Sequence, residues 1–198
     1  MITLDEFKGR CRADAAEDIV NDVLLADDAV HVSAVNRAYL RDTLAATYGI
    51  ANNAIQLWIV GSAKLDFALT EKRKGGLVLP RYRSYSPDSD IDTAVVSSEL
   101  FRLIWDELSI YAHGVPWMPW DSGKLGDYLV YGWLRPDHFP TRRVRRCDDW
   151  WDQFRRFSAN PRFGRRSVRG GLFHSVADLQ RYLRRSVLEC INLEMGNI

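Results

Sequence analysis

Residues 89–96 read Ser-Asp-Ile-Asp-Thr-Ala-Val-Val, two carboxylates set one residue apart at the head of an apolar, β-branched run. Such a run predicts a strand, and side chains on a strand alternate between its faces. Asp90 and Asp92 therefore share one face, while Ile91 points into the opposite layer. Two carboxylates this close repel and raise each other's pKa. Keeping both on one side of a strand is costly unless a cation sits between them. Hard oxygen ligands on a rigid strand suit Mg²⁺, which completes its shell with water and substrate phosphates.

A second segment supplies the complement. Ile55-Gln56-Leu57-Trp58-Ile59-Val60 is short, apolar and β-branched, and it stops at Gly61-Ser62 as a buried strand would. Glycine at a strand end lets backbone approach a phosphate closely, and N–H groups plus a hydroxyl can hold its oxygens. A cation on one side and a phosphate cradle on the other is an arrangement for phosphoryl transfer.

The rest of the chain predicts mostly helix. Leu4, Phe7, Cys11, Ala15, Ile19 and Val23 recur at helical steps over residues 4–26. A second helix follows Ser33 and ends near Gly49, and the spacing suggests that the two form an antiparallel pair. Residues 70–88, with a Gly75-Gly76 pair, predict a long loop. Ser97 or Ser98 caps a helix carrying Leu100, Phe101, Ile104, Trp105 and Leu108. Residues 114–127 read as an ordered loop and 128–134 as a third strand. A short helix is expected over Cys147–Phe157 and a clear one after Ser175. The expected class is α/β (α+β), a small mixed sheet flanked by N- and C-terminal helices. We expect one domain over 1–198, with a helical segment 1–50, a core 51–140 and an Arg-rich helical segment 141–198.

Composition excludes several classes. Of the 198 residues 46% are hydrophobic and 27% charged, which rules out wholesale disorder and a coiled-coil rod. The longest apolar run is far shorter than the ~20 residues of a membrane span. Cys11, Cys147 and Cys190 lack metal-ligand spacing and predict reduced, buried thiols in a cytoplasmic protein. His31, His113, His138 and His174 are scattered, which argues against zinc. Residues 1–50 carry a net charge of −4, residues 51–134 a net −2 and residues 135–198 a net +7, all of the last stretch's cations being Arg. That asymmetry suits a polyanion, or a solvated face paired with the acidic N-terminal segment.

The pattern GS…SDIDTAVV followed by a capped helix resembles the nucleotidyltransferase superfamily related to DNA polymerase beta. More narrowly, IVGSAKLDFAL, SPDSDIDTAVVSSELFRLIW and GWLRPDHFP are similar to a compact bacterial nucleotidyltransferase-like family found in part near phage-defence genes. The firm part of the likeness covers residues 55–110. It implies transfer of a nucleoside monophosphate from an NTP, with release of pyrophosphate, in a reaction that needs Mg²⁺ or Mn²⁺. Gly61 and Ser62 would hold the triphosphate, and Asp90 and Asp92 the metal. A third carboxylate would complete the site and activate the acceptor, Asp137 first, with Asp127 and Asp121 as alternatives. Gly61 and Asp90 are 29 residues apart, longer than in the simplest relatives, so the chain must leave the site and return.

Around these residues the readings divide. Lys64 can reach a phosphate oxygen or be an ordinary exposed lysine. The 70–88 loop, with Lys72, Arg73, Lys74, Arg81, Arg83, Tyr82 and Tyr85, reads as a lid that grips phosphate and stacks on a base, or as a solvated insertion. Arg142, Arg143, Arg145, Arg146, Arg155, Arg156, Arg162, Arg165, Arg166 and Arg169 suit RNA or NTP steering, or reflect base composition alone. Trp117, Trp120, Trp133, Trp150 and Trp151 read as core. The acceptor stays open among an RNA end, a protein hydroxyl, a small molecule and a nucleotide. The rival to an enzyme in antiviral defence is a module that binds nucleotide or RNA without turnover, as sensor, adaptor or antitoxin.

Overall fold

The computed structural model describes residues 1–115, 122–139 and 142–196. Its centre is a mixed four-stranded sheet in the order β1-β4-β6-β5, formed by β1 (Gln56–Val60), β4 (Ile91–Val96), β6 (Val168–Phe173) and β5 (Trp133–Leu134). β1 runs antiparallel to β4, β4 parallel to β6, and β5 antiparallel to β6. A separate hairpin joins β2 (Lys72–Lys74) to β3 (Leu77–Leu79). The class is α+β, as the sequence predicts.

Alternation along the strands builds two cores. Leu57, Ile59, Ile91, Val95, Val168 and Leu172 face one layer. There they meet Leu40 and Leu44 of α3 (Ala34–Tyr48), Leu100, Ile104 and Leu108 of α5 (Ser98–His113), and Trp150, Phe154 and Phe157 of α7 (Arg145–Ala159). Ala94, Val96 and Phe173 face the other layer, against α1 (Leu4–Ala13), α2 (Ala16–Ile19) and α8 (Val176–Glu194). Each fully buried Leu, Ile or Phe contributes about 1.5–3 kcal/mol, so the sheet is held by both slabs at once.

Serine caps fix where the helices start. Ser33 Oγ accepts from Asn36 N, Ser97 Oγ from Leu100 N and Ser175 Oγ from Asp178 N. Ser97 is buried, and its own N–H donates to Phe173 O, tying the end of β4 to β6. Ser97→Ala leaves Leu100 N–H unmet in the core. It is expected to cost about 1–2 kcal/mol in chemical denaturation.

Several expectations are corrected. The helix expected over 4–26 breaks at Asp14, which is extended, and resumes as α2 and a π turn over Val20–Leu24. It does not pair with α3, because the two lie on opposite faces of the sheet. The 70–88 stretch holds the β2–β3 hairpin, whose turn residues Gly75 and Gly76 both have positive φ, as a two-residue turn between twisted strands requires. The third strand expected at 128–134 is mostly helix. α6 (Ser122–Tyr131) runs into only two residues of β5. Residues 122–127 are thus helical, not loop, and Trp117, Trp120 and Asp121 lie outside the described residues. β6 has no counterpart among the expected strands. The three cysteines are free and buried. Among the described residues no helix is long and apolar enough to cross a membrane.

Candidate functional site

The antiparallel register of β1 and β4 sets Val60 opposite Asp92. The chain then turns at Gly61 with φ +68° and ψ −153°, a region that only glycine enters without strain. A Cβ at Gly61 would stand 3.2 Å from Asp92 Oδ2, so the backbone of the turn lies directly against that carboxylate. The short helix α4 (Ser62–Leu65) starts at the next residue. The glycine-serine turn thus meets Asp92, the second of the two acids, while Asp90 is not among the residues lining the cleft beside it.

The two acids differ in their surroundings. Asp90 has Arg169 Nε at 3.5 Å and Lys72 Nζ at 3.8 Å. Lys72 comes from the hairpin, and Arg169 is the neighbour of Asp92 on β6. Asp92 accepts no hydrogen bond and makes no ion pair from the described residues. Burial pushes its carboxyl above the usual aspartate range, the charge of Asp90 adds to that, and Arg169, Arg135 and Lys72 oppose it. A buried carboxyl without a partner among the described residues is chemically able to take a cation. One or two carboxylates, with the remaining positions left to water and phosphate, is the usual protein share of a Mg²⁺ shell. The donor set fits.

Asp92 lies in a cleft of about 280 Å³. Its polar part is made by Gly61, Ser62, Arg83, Asp92, Arg135 and Arg169, and its inner part by Leu24, Phe173 and Leu179. Trp133 and Tyr182, rings 5.4 Å apart, also line it. The guanidinium of Arg135 is held by Asp137 through Nε at 2.9 Å and Nη2 at 2.6 Å.

Four sequence-based assignments are otherwise engaged or exposed, although Lys64 is among the residues that line the cleft. Asp137 is engaged by Arg135 in that bidentate pair, and no group of three or more His, Cys, Asp or Glu gathers for a metal among the described residues. Asp127 is exposed on α6. Arg81 is turned to α8 and to the main chain, donating to Leu69 O and Glu189 Oε2. Lys64 is neither exposed nor aimed at phosphate: it is buried, and Nζ donates to Ala26 O at 2.6 Å and Asp28 O at 2.5 Å. The aromatic part of the expected lid is spent too. Tyr82 packs edge-on against Phe7 and Phe67, and Tyr85 is stacked 3.9 Å from His31 with Arg166 over the ring.

Sequence does not single out Arg135 or Tyr182 for the site; Trp133, expected in the core, lines the cleft, and Trp151, also expected in the core, is 40% exposed. Arg135 sits inside GWLRPDHFP, but no spacing there distinguishes it from an ordinary surface arginine. No protein-family model, curated protein or solved structure matches the chain.

The lysine correction carries its own prediction. Lys64 pins the 26–28 turn beneath α4, and burial lowers its pKa. Lys64→Met removes two charge-assisted bonds and leaves two carbonyls unmet. We expect a loss of about 2–3 kcal/mol in urea or guanidinium unfolding.

Proposed function

We propose that the protein is a Mg²⁺- or Mn²⁺-dependent nucleotidyltransferase that moves a nucleoside monophosphate from an NTP to an acceptor hydroxyl. The single observation that supports this most is the backbone of Gly61 lying against the carboxylate of Asp92, which has no partner among the described residues, with the charge of Asp90, just before β4, acting on it. Asp90 and Asp92 would hold the divalent ion, which when bound supplies charge neutralisation at the triphosphate.

The chain's own groups do the rest. The turn at Gly61-Ser62 admits the phosphates close to backbone. Arg83, Arg135 and Arg169 add positive charge around the cleft where negative charge grows in the transition state. The acceptor oxygen forms a bond to the α-phosphorus as the bond from that phosphorus to the β-phosphate oxygen breaks, and pyrophosphate leaves. The hydroxyl proton passes to a carboxylate oxygen of Asp92 that the ion leaves free.

One observation favours a second reading. With Asp137 engaged by Arg135, only two carboxylates meet at this point among the described residues, as in a module that binds nucleotide without turnover. One experiment separates the two. The protein is incubated with each labelled NTP and Mg²⁺ or Mn²⁺, and products and protein are weighed by mass spectrometry. Pyrophosphate release and a mass increment of one nucleotide on any acceptor support the enzyme. Stoichiometric NTP binding with no pyrophosphate supports the module.

A further inference from the structure

A second cavity of about 300 Å³ lies against the first and shares Arg135, Arg169 and Gly170 with it. The two are on opposite faces of the sheet. The first takes Ala94 and Phe173 from the α8 side, and the second takes Trp150, Phe154 and Val168 from the α7 side. They meet because β5 is so short: it pairs only with Leu172 and Phe173, so residues 168–170 of β6 have no strand on that side among the described residues. Arg135, next after β5, borders both cavities at this uncovered edge. Arg169 is the ladder neighbour of Asp92, so the notch lies one strand away from the acidic pair.

The chemistry of the second cavity is specific. Arg135, Arg155 and Arg169 line it with one acid, Asp137; Arg135 is held by Asp137, while Arg169 and Arg155 have only the longer contacts to Asp90 at 3.5 Å and Asp152 at 4.0 Å. Trp151 is 40% exposed, and Arg155 lies 4.9 Å from its ring centre, so an indole and a guanidinium plane are offered together. Trp150 is fully buried in its wall. Guanidinium groups for phosphate and an exposed indole for a flat ring together suit a nucleotide.

We propose that this notch receives the 3′-terminal nucleotide of a single-stranded RNA, the acceptor of the transfer. The assignment rests on the transferase reading for its chemistry, but not for its binding. The terminal ribose would pass the β6 edge beside Arg135 and present its hydroxyl oxygen to the α-phosphorus in the first cavity. Pyrophosphate is the leaving group, and the hydroxyl proton goes to Asp92 as above. A second strand would cover the base's hydrogen-bonding edge and prevent entry, so duplex ends are excluded.

The test is fluorescence anisotropy of the full chain with a 5′-labelled 12-nucleotide RNA in EDTA, without NTP. Wild-type protein binds it. Trp151→Ala and Arg155→Gln each weaken binding about 5- to 50-fold, as expected where one stacked base and one cation are lost. Both positions are exposed, so both variants fold, which circular dichroism checks. Equal affinity for a blunt duplex of the same length, displacement by a poly-glutamate peptide of equal charge, unchanged affinity in both variants or no binding by the folded wild type would each overturn the proposal. RNA that binds in this way but is never extended with NTP and Mg²⁺ leaves the groove in place and removes the transferase.

Discussion

Asp92→Asn is expected to lower NTP consumption about a thousandfold with Mg²⁺ or Mn²⁺, and Asp90→Asn/Asp92→Asn to abolish it. A factor of a thousand corresponds to about 4 kcal/mol of transition-state stabilisation, the scale of losing a metal's charge at a developing oxyanion. Asn keeps the shape of Asp92, and the contact of Gly61 with Oδ2 passes to an amide atom of similar size. The fold should therefore survive. A pyrophosphate-release assay on folded variant and wild type measures the effect, and turnover of the double variant at the wild-type rate would refute the enzyme.

The same substitution should make the metal-free protein more stable at neutral pH. The carboxyl of Asp92 titrates above its unfolded value because burial and Asp90 disfavour the anion. The folded state thus keeps a proton that the unfolded chain has released. Wild-type stability then falls as pH rises from the ordinary aspartate range through the raised value. Asn cannot ionise, so the slope belonging to this group disappears. Thermal melts from about pH 4 to about pH 8 in EDTA should show wild type losing ground to Asp92→Asn. Adding Mg²⁺ should raise the melting temperature of wild type more than that of the variant, which keeps only one of the two carboxylates proposed to hold the ion. An acid retained at the expense of stability is what a functional site leads one to expect.

What was legible in the sequence follows from what is local. Ser33, Ser97 and Ser175 act within four residues of themselves, and the helices they start were readable from the cap and the first turns. The two motifs lead one to expect both acids at Gly61; the Val60–Asp92 register brings Asp92 there, while Asp90 precedes β4, so strand alternation does not fix its facing. Non-local choices were hidden. The apolar spacing of α1 shows that it has a buried stripe, but not that the stripe covers the opposite face from α3. β6 escaped notice because Gly170 and Gly171 remove two side chains from the middle of its alternation, and a parallel partner 77 residues away gives no local sign. Tyr128-Leu129-Val130-Tyr131 favours a strand by propensity, yet it ends a helix whose Leu129 and Val130 stay exposed. Lys64 was ambiguous because its partners are main-chain carbonyls, which carry no sequence signature.

The glycines that concealed β6 also set its packing, and Gly170→Ala is expected to be among the most destabilising single changes in the protein. A Cβ at 170 would lie 2.3 Å from Phe154 Cζ and 2.8 Å from Trp150 Cζ2. Neither atom is the free end of a flexible chain. Trp150 is fully buried, and its ring lies 4.7 Å from that of Phe154, which in turn meets Phe157 edge-on. Relief would need either α7 to lift from the sheet or β6 to shift along β4, disturbing the Thr93 Oγ1 bond to Arg169 O. Overpacking of this kind costs about 3 kcal/mol or somewhat more, a large share of the ~5–15 kcal/mol that holds a domain together. The melting temperature should fall by roughly 6–12 °C in a chain of this length. Phe154→Leu removes the atom that is met first, so it should restore part of the loss in Gly170→Ala while being destabilising on its own. A double-mutant cycle in chemical denaturation measures that coupling. Strict additivity of the two losses would mean that the glycine does not exist to let α7 approach, and the wall between the two cavities would need another explanation.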